Sequence, residues 1–267
     1  MCVHSWSARL LEWQVRGANE GVDRSAHFIA LAAWWQGETN VALKLKPAQN
    51  ATDGAGVCRR VRLFCRSPWM RKPEKIIPII LAAGSSQPLP FPKALAPFGR
   101  KTALEIAVEN CAFLAASLVV LGSDAERILP HVPKSSQVVI NRRWREGQLS
   151  SLQAALRKIR DDAAFLIYPV DHALLKSETV EQLVRAFRSR SASQEIVMPR
   201  HKNAHGHPAI VSAAVRPEFF TARTGREVIY RVPERIRVLN VRTSSIFEDF
   251  HAPQSYAECL RKFMARK

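Results

Sequence analysis

Three features of this sequence could do chemistry: a loop of small residues with a lysine beyond it, an aspartate that closes an apolar run, and an aspartate and histidine near the C-terminus. The loop follows Ile-Ile-Pro-Ile-Ile-Leu, in which five of six residues are isoleucine or leucine, and reads Leu81-Ala82-Ala83-Gly84-Ser85-Ser86. So little side chain lets backbone N–H groups approach a ligand closely, as phosphate binding requires, and Lys93 adds a positive charge a short distance on. Asp171 ends the run FLIYPV, where a carboxylate could hold Mg²⁺ against phosphate oxygens. Asp249 and His251 are a second place for a metal. His205 and His207 flank Gly206 as a metal pair by composition, and Arg142, Arg143 and Arg145 form a basic stretch. Each has a plainer alternative: Gly84 as a turn between strand and helix, Lys93 and the arginines as solvated charges, Asp171 as a helix N-cap, the histidines as polar loop.

These residues need a scaffold, and the chain is long enough to supply one. Its 267 residues are 47% apolar, which excludes disorder and allows one large α/β domain or two small ones. The formal charge of +17 favours anionic partners: nucleotides, nucleic acid or acidic surfaces. Five scattered cysteines without metal-ligand spacing read as reduced thiols, and no apolar run has the length of a membrane helix. The expected location is the cytoplasm. Residues 1–69 hold five of the six tryptophans but little periodicity. They are expected to be a poorly ordered or spurious N-terminal extension, with Met70 the natural start; the alternative is a basic arm for nucleic acid.

From Ile76 onward, apolar runs alternate with amphipathic stretches, the pattern of βαβ units around a parallel sheet. Residues 102–116 predict a helix capped by Thr102, residues 117–121 a strand, 124–129 a short helix and 137–140 a third strand. Residues 141–147 (NRRWREG) read as a basic loop, and 149–159 as a helix capped by Ser150 or Ser151. Strands follow at 165–170 and 195–199, with a helix at 178–188 between them. Residues 200–208 (RHKNAHGHP) read as a loop before apolar 209–211; short helices at 217–220 and 225–230, a strand at 236–241 and a helix at 253–266 complete the chain. In such a sheet, ligands bind beyond the carboxyl ends of the strands, where the Gly84 loop, Asp171 and the pair Asp249 and His251 all fall.

Together these pieces resemble the nucleotidyltransferases that act on the molybdenum cofactor, especially the cytidylyltransferase branch, over about residues 75–256. Leu81, Ala82, Ala83, Gly84, Ser86 and Lys93 fall on that family's pattern Leu-Ala-Ala-Gly-x-Ser-x-Arg-x-Gly-x-x-Lys. Trp144, Gly147 and Ser150-Ser151-Leu152 match its Trp-x-x-Gly-x-x-Ser-Ser-Leu segment; Asp171 matches its metal-binding aspartate, and Gly206-His207-Pro208 its Gly-His-Pro signature. Pro88 and Pro90 stand where the pattern has arginine and glycine, His172-Ala173 follows Asp171 where the pattern has Gln-Pro or a similar pair, and His251 replaces the second aspartate of Asp-x-Asp-Thr-Pro.

The resemblance implies a three-layer α/β/α sandwich with a mostly parallel, Rossmann-like sheet, the nucleotide-diphospho-sugar transferase type, over residues 70–267. It implies a Mg²⁺-dependent enzyme that joins CMP from CTP to molybdopterin or a similar phosphorylated acceptor and releases pyrophosphate. Residues 81–86, Lys93, Ser150 and Ser151 would bind nucleotide; Lys93 and Asp171 would be catalytic; Asp171, Asp249 and His251 would hold the metal; Gly206, His207 and Pro208 would meet the acceptor. A molybdoenzyme is a further partner it implies, and a membrane is not one. The altered loop motivates an alternative, a non-catalytic relative that binds nucleotide or cofactor and hands it to a partner. Nucleic acid is the expected partner only in a third reading, supported by the charge and the arginine-rich arm.

Overall fold

A computed structural model describes residues 74–266, and the expectation for residues 1–69 lies outside them. Strands β1 (Ile76–Ala82), β4 (Leu118–Leu121), β5 (Gln137–Ile140), β6 (Ala164–Pro169), β7 (Ile196–His201), β8 (Ala204–His205), β9 (Ala209–Val211) and β10 (Ile236–Asn240) form one sheet. Along its main path the order is β10-β7-β9-β6-β1-β4-β5, with β8 paired to β7. All pairs are parallel except those of β9 with β6 and β7 and that of β8 with β7. Strands β2 (Pro97–Phe98) and β3 (Lys101–Thr102) make a small separate hairpin.

The central strands are apolar on both sides because both faces of the sheet are covered. On one face Ile80, Ala82, Val119, Leu121, Leu166 and Tyr168 pack against α1 (Ala103–Asn110) and α4 (Ser177–Arg188). On the other, Ile79, Leu81, Val120, Phe165 and Ile167 pack against α3 (Gln148–Leu156), the 3₁₀ turn Ala213–Phe220 and α5 (Gly225–Tyr230). The architecture is therefore the expected three-layer α/β/α sandwich with a mostly parallel sheet. A third cluster forms where α6 (Pro253–Met264) covers the loop after β1: Leu89 and Phe91 from the loop meet Phe98, Phe250, Tyr256 and Phe263. The Phe91 and Tyr256 rings touch edge to face at 5.2 Å, and the Tyr256 hydroxyl donates to the Pro97 carbonyl at 2.6 Å. The proline-rich loop is thus tied down by aromatic packing.

Several local expectations need correction. Thr102 does cap α1, its hydroxyl accepting the Glu105 N–H while Glu105 accepts the Thr102 N–H, but the helix stops at Asn110 and does not reach residue 116. The Asn110 amide is used in tertiary bonds, and i→i−3 bonds from Ala112 to Glu109 and from Leu114 to Cys111 turn the chain toward β4. Neither Ser150 nor Ser151 caps α3. Gly147 holds that position at φ 98°, and both serines lie inside the first turn. Residues 200–208 are not simply a loop either: β7 runs on to His201, turns at Lys202, whose φ is +53°, and returns as β8. The tight turn lacks the Asn-Gly or Asp-Gly pair that would have announced it. Residues 141–147 contain a 3₁₀ turn, Trp144–Glu146. Asp171 lies between β6 and α4 and caps neither.

Candidate active site

The parallel strands β1, β4, β5, β6, β7 and β10 all end at one edge of the sheet, and at that edge a cavity of about 360 Å³ opens. Leu81, Ala82, Ala83, Gly84, Ser85, Ser86 and Lys93 line one side of it, Trp144, Arg145, Gly147, Gln148 and Ser151 another, and Pro169, Val170 and Asp171 the base. Sequence positions far apart converge here because each follows a strand of the same direction.

Lys93 begins the 3₁₀ turn Lys93–Leu95 and donates its N–H to the Ser86 hydroxyl at 2.9 Å. Ser86 in turn donates to Asp124 at 3.2 Å, so its buried hydroxyl folds the loop and is not free for a ligand. Nζ of Lys93 lies 3.6 Å from the Asp171 carboxylate, and each side chain is about one-fifth exposed. Burial raises the Asp171 pKa above the usual carboxylate range; Lys93 opposes that, and Asp249 adds to it. Asp171 itself is braced from behind. The Tyr168 hydroxyl donates to the His172 carbonyl, and Asn110 donates to Tyr168 and to the Leu175 carbonyl, which together hold the segment that follows Asp171.

Two glycines are required by packing. A Cβ on Gly122 would sit 2.5 Å from the Ala83 carbonyl and 2.7 Å from Cβ of Trp144, and the Ser123 N–H donates to that same carbonyl. A Cβ on Gly206 would meet the Ile246 carbonyl at 2.4 Å, the same carbonyl that accepts the His207 N–H. Gly84 is different: its φ is not positive, and a Cβ would meet nothing within 4 Å. Neither the fold nor the backbone conformation demands glycine there, so open space over the loop is its distinguishing property.

Asn141, which the sequence reading missed, organises the opposite wall. Its buried amide donates to the Ser150 and Ser151 hydroxyls at 2.9 and 3.0 Å, and its carbonyl oxygen accepts the Arg143 N–H. Only Ser151 of the two serines lines the cavity; Ser150 lies behind it and donates to the Gly147 and Arg143 carbonyls. The available signal was position, since Asn141 directly follows β5 and Asp171 stands two residues beyond Pro169, the last of β6.

Gly206, His207 and Pro208 do not line the cavity. The His207 ring lies 5.2 Å from that of His172, and burial lowers the pKa of each imidazole to about 4. Nδ1 of each is buried without a hydrogen-bond partner among the described residues. His205 turns away to stack on Tyr230, so the two histidines flanking Gly206 do not converge on one ion. Asp249 is exposed yet near enough to influence Asp171, His172 and His207, while His251 is exposed at the start of α6 and bonds Ser255 through its N–H.

Among the described residues, no group of three or more His, Cys, Asp or Glu side chains is arranged to hold an ion. Asp171 on the cavity and Asp249 near it still fit Mg²⁺, which takes one or two carboxylates and completes its shell with water and substrate phosphate.

The profile of the MobA-like NTP transferase domain matches residues 78–237. The chain belongs to this family. The match covers the Gly84 loop, Lys93, Asn141, Asp171 and Gly206 to Pro208, whereas Asp249, His251 and α6 lie beyond it. No curated protein sequence is similar to the chain. Solved structures share its fold. The Rv0371c homologue from Mycobacterium sp. strain JC1 is 22% identical, with a TM-score of 0.62 over 72% of this chain and 98% of that one. Rv0371c of Mycobacterium tuberculosis, solved as a complex with manganese, is 22% identical, with a TM-score of 0.58 over 71% of this chain and all of the other. A CMP:2-keto-3-deoxy-manno-octonic acid synthetase complexed with CTP is 15% identical, with a TM-score of 0.57 over 72% and 99%. The loop from Gly84 to Pro92 of this chain carries no basic side chain.

Proposed function

We propose that this MobA-like chain is a Mg²⁺-dependent cytidylyltransferase that joins CMP from CTP to molybdopterin or a similar small phosphorylated acceptor. The single observation that carries the reading is the Lys93 and Asp171 pair facing the open backbone of Gly84 across one cavity at the carboxyl edge of the sheet. An acceptor phosphate oxygen attacks the α-phosphorus; a new P–O bond forms, the α–β bond breaks, and pyrophosphate leaves with its electron pair. The chain supplies position and charge to this displacement, not a covalent nucleophile. Ala82 to Ser85 bring backbone close to the phosphates, Lys93 offsets their charge, and Ser151 with Trp144 closes the opposite wall. Asp171 and Asp249 would hold the metal, which when bound withdraws charge from phosphate oxygens. The fold similarity to the manganese complex and to the CTP complex supports this reading. The acceptor would lie on the side of Asp171 nearer His207, beyond the cavity lining.

The test is pyrophosphate release from CTP, GTP and ATP with Mg²⁺ and molybdopterin. CTP should give turnover, and Asp171→Asn should lower it by at least roughly 100-fold. Because burial disfavours the Asp171 charge, the neutral asparagine should leave thermal stability intact. Unchanged rates in that variant would remove the assignment of Asp171. Tight binding of nucleotide by the natural chain without turnover would instead favour the carrier reading that Pro88 and Pro90 motivate.

A further inference from the structure

The charge on the cavity walls does not balance a polyphosphate in the way Lys93 alone would suggest. Two cations, Lys93 and Arg145, and one carboxylate, Asp171, line the cavity. Lys93 already faces Asp171 at 3.6 Å, so its charge is shared between that carboxyl and a phosphate. No basic residue occurs between Gly84 and Pro92. Arg143 is committed to Glu146 through two hydrogen bonds. Among the described residues, Arg145 has no carboxylate partner; its guanidinium lies over the Trp144 indole, 4.5 Å from the ring centroid.

We infer that Arg145, held over Trp144 on the cavity wall, is the residue that grips the polyphosphate of the nucleotide. The inference rests on the proposed nucleotide-binding role of the same cavity. The indole takes up none of the guanidinium's N–H donors as a hydrogen-bond acceptor would, and a planar N–H fork matches the oxygens of a phosphate. The platform is fixed. Trp144 packs against the core on the α3 side, and its Cβ lies 2.7 Å from where a Cβ on Gly122 would stand, a point 2.5 Å from the Ala83 carbonyl of the loop. Gly122 thus lies tightly between the Ala83 and Trp144 segments, and Arg145 lines the same cavity as the Gly84 backbone. A lysine there would offer a point charge without the planar fork.

The experiment is calorimetric binding of CTP, CDP, CMP and cytidine to the full chain in Mg²⁺ buffer, comparing the natural protein with R145A, R145K and R142A. R145A should weaken CTP by roughly 10- to 100-fold, CDP less, and CMP and cytidine by less than about threefold. R145K should recover part of the CTP affinity. Arg142 is an exposed neighbour outside the cavity lining, so R142A removes the same charge elsewhere and should leave CTP affinity within about twofold. Full CTP affinity in R145A, equal losses for CTP and CMP, or equal losses in R142A and R145A would each overturn the role of Arg145 while leaving nucleotide binding in place. A natural chain that binds none of the four ligands would overturn the proposed function and this inference together. Arg145 is exposed, so an unchanged melting temperature in R145A should show that the fold is kept.

Discussion

Burial decides what the titratable residues beside the cavity are able to do. His172 and His207 are kept neutral by desolvation, with folded pKa values near 4 against an ordinary 6.5. Between those values the unfolded chain binds protons that the folded chain refuses, so stability is full above about pH 6.5 and falls as the pH drops toward 4. The loss is roughly 1.4 kcal/mol per histidine for each pH unit in the window. Asp171 works in the opposite sense, since its raised pKa makes the folded state gain as the carboxyl protonates, and so it offsets part of the loss. Urea midpoints in metal-free buffer should therefore fall with pH across this range, and replacing either histidine by glutamine should flatten the profile. A profile unchanged by both replacements would show that these rings do not titrate as their burial requires.

Elements are placed at the site by close backbone contacts as much as by apolar packing. Gly206 joins the β7 and β8 hairpin to the turn Ser244–Ile246, with no room for a methyl group against the Ile246 carbonyl. Gly206→Ala should thus cost about 1–3 kcal/mol. Gly84→Ala, at a position with open space, should leave the melting temperature unchanged and weaken nucleotide binding. Thermal denaturation and calorimetry on the two variants separate a glycine that packs from one that admits a ligand; loss of stability in both would remove the ligand explanation for Gly84. Sequence motifs alone cannot make that distinction, because both positions sit in equally suggestive small-residue segments. The same limit explains Ser86 and Ser150. Both fit a nucleotide-binding pattern, yet their hydroxyls hold the protein's own loops together.

At the scale of the molecule, the sheet and its two helical layers account for the residues from Glu74 onward. Glu74 already belongs to that body: it pairs with Arg190 and accepts hydrogen bonds from Ser212 and Ala213. We propose that residues 70–267 form the nucleotidyltransferase unit and fold independently. A chain shortened to begin at Met70 should keep its melting temperature and its nucleotide affinity; loss of either would tie residues 1–69 to the fold or the site. Among the described residues, no helix is long and apolar enough to cross a membrane. Cys111 and Cys259 are buried free thiols, and burial raises both pKa values, to about 12 and about 11, so neither is placed to act as a thiolate nucleophile.

The sequence by itself determined the alternation of strands and helices, the loop after β1 and the aspartate after β6, because apolar periodicity and small-residue breaks are local properties. It also carried the family, since motifs in a fixed order survive without knowledge of contacts. Only the tertiary structure decided which motif residues face the cavity. Ser151, Lys93 and Asp171 do; Ser150 and Gly206 to Pro208 do not; of the basic stretch only Arg145 lines the cavity, and Asn141, which no motif marks, braces the wall through its two serine bonds. The antiparallel insertion of β9, the early end of α1 and the fitting of Trp144 against Gly122 likewise depend on contacts between distant segments. Which side of a strand end or helix turn meets the ligand is set by packing across the sheet, and local pattern does not encode it.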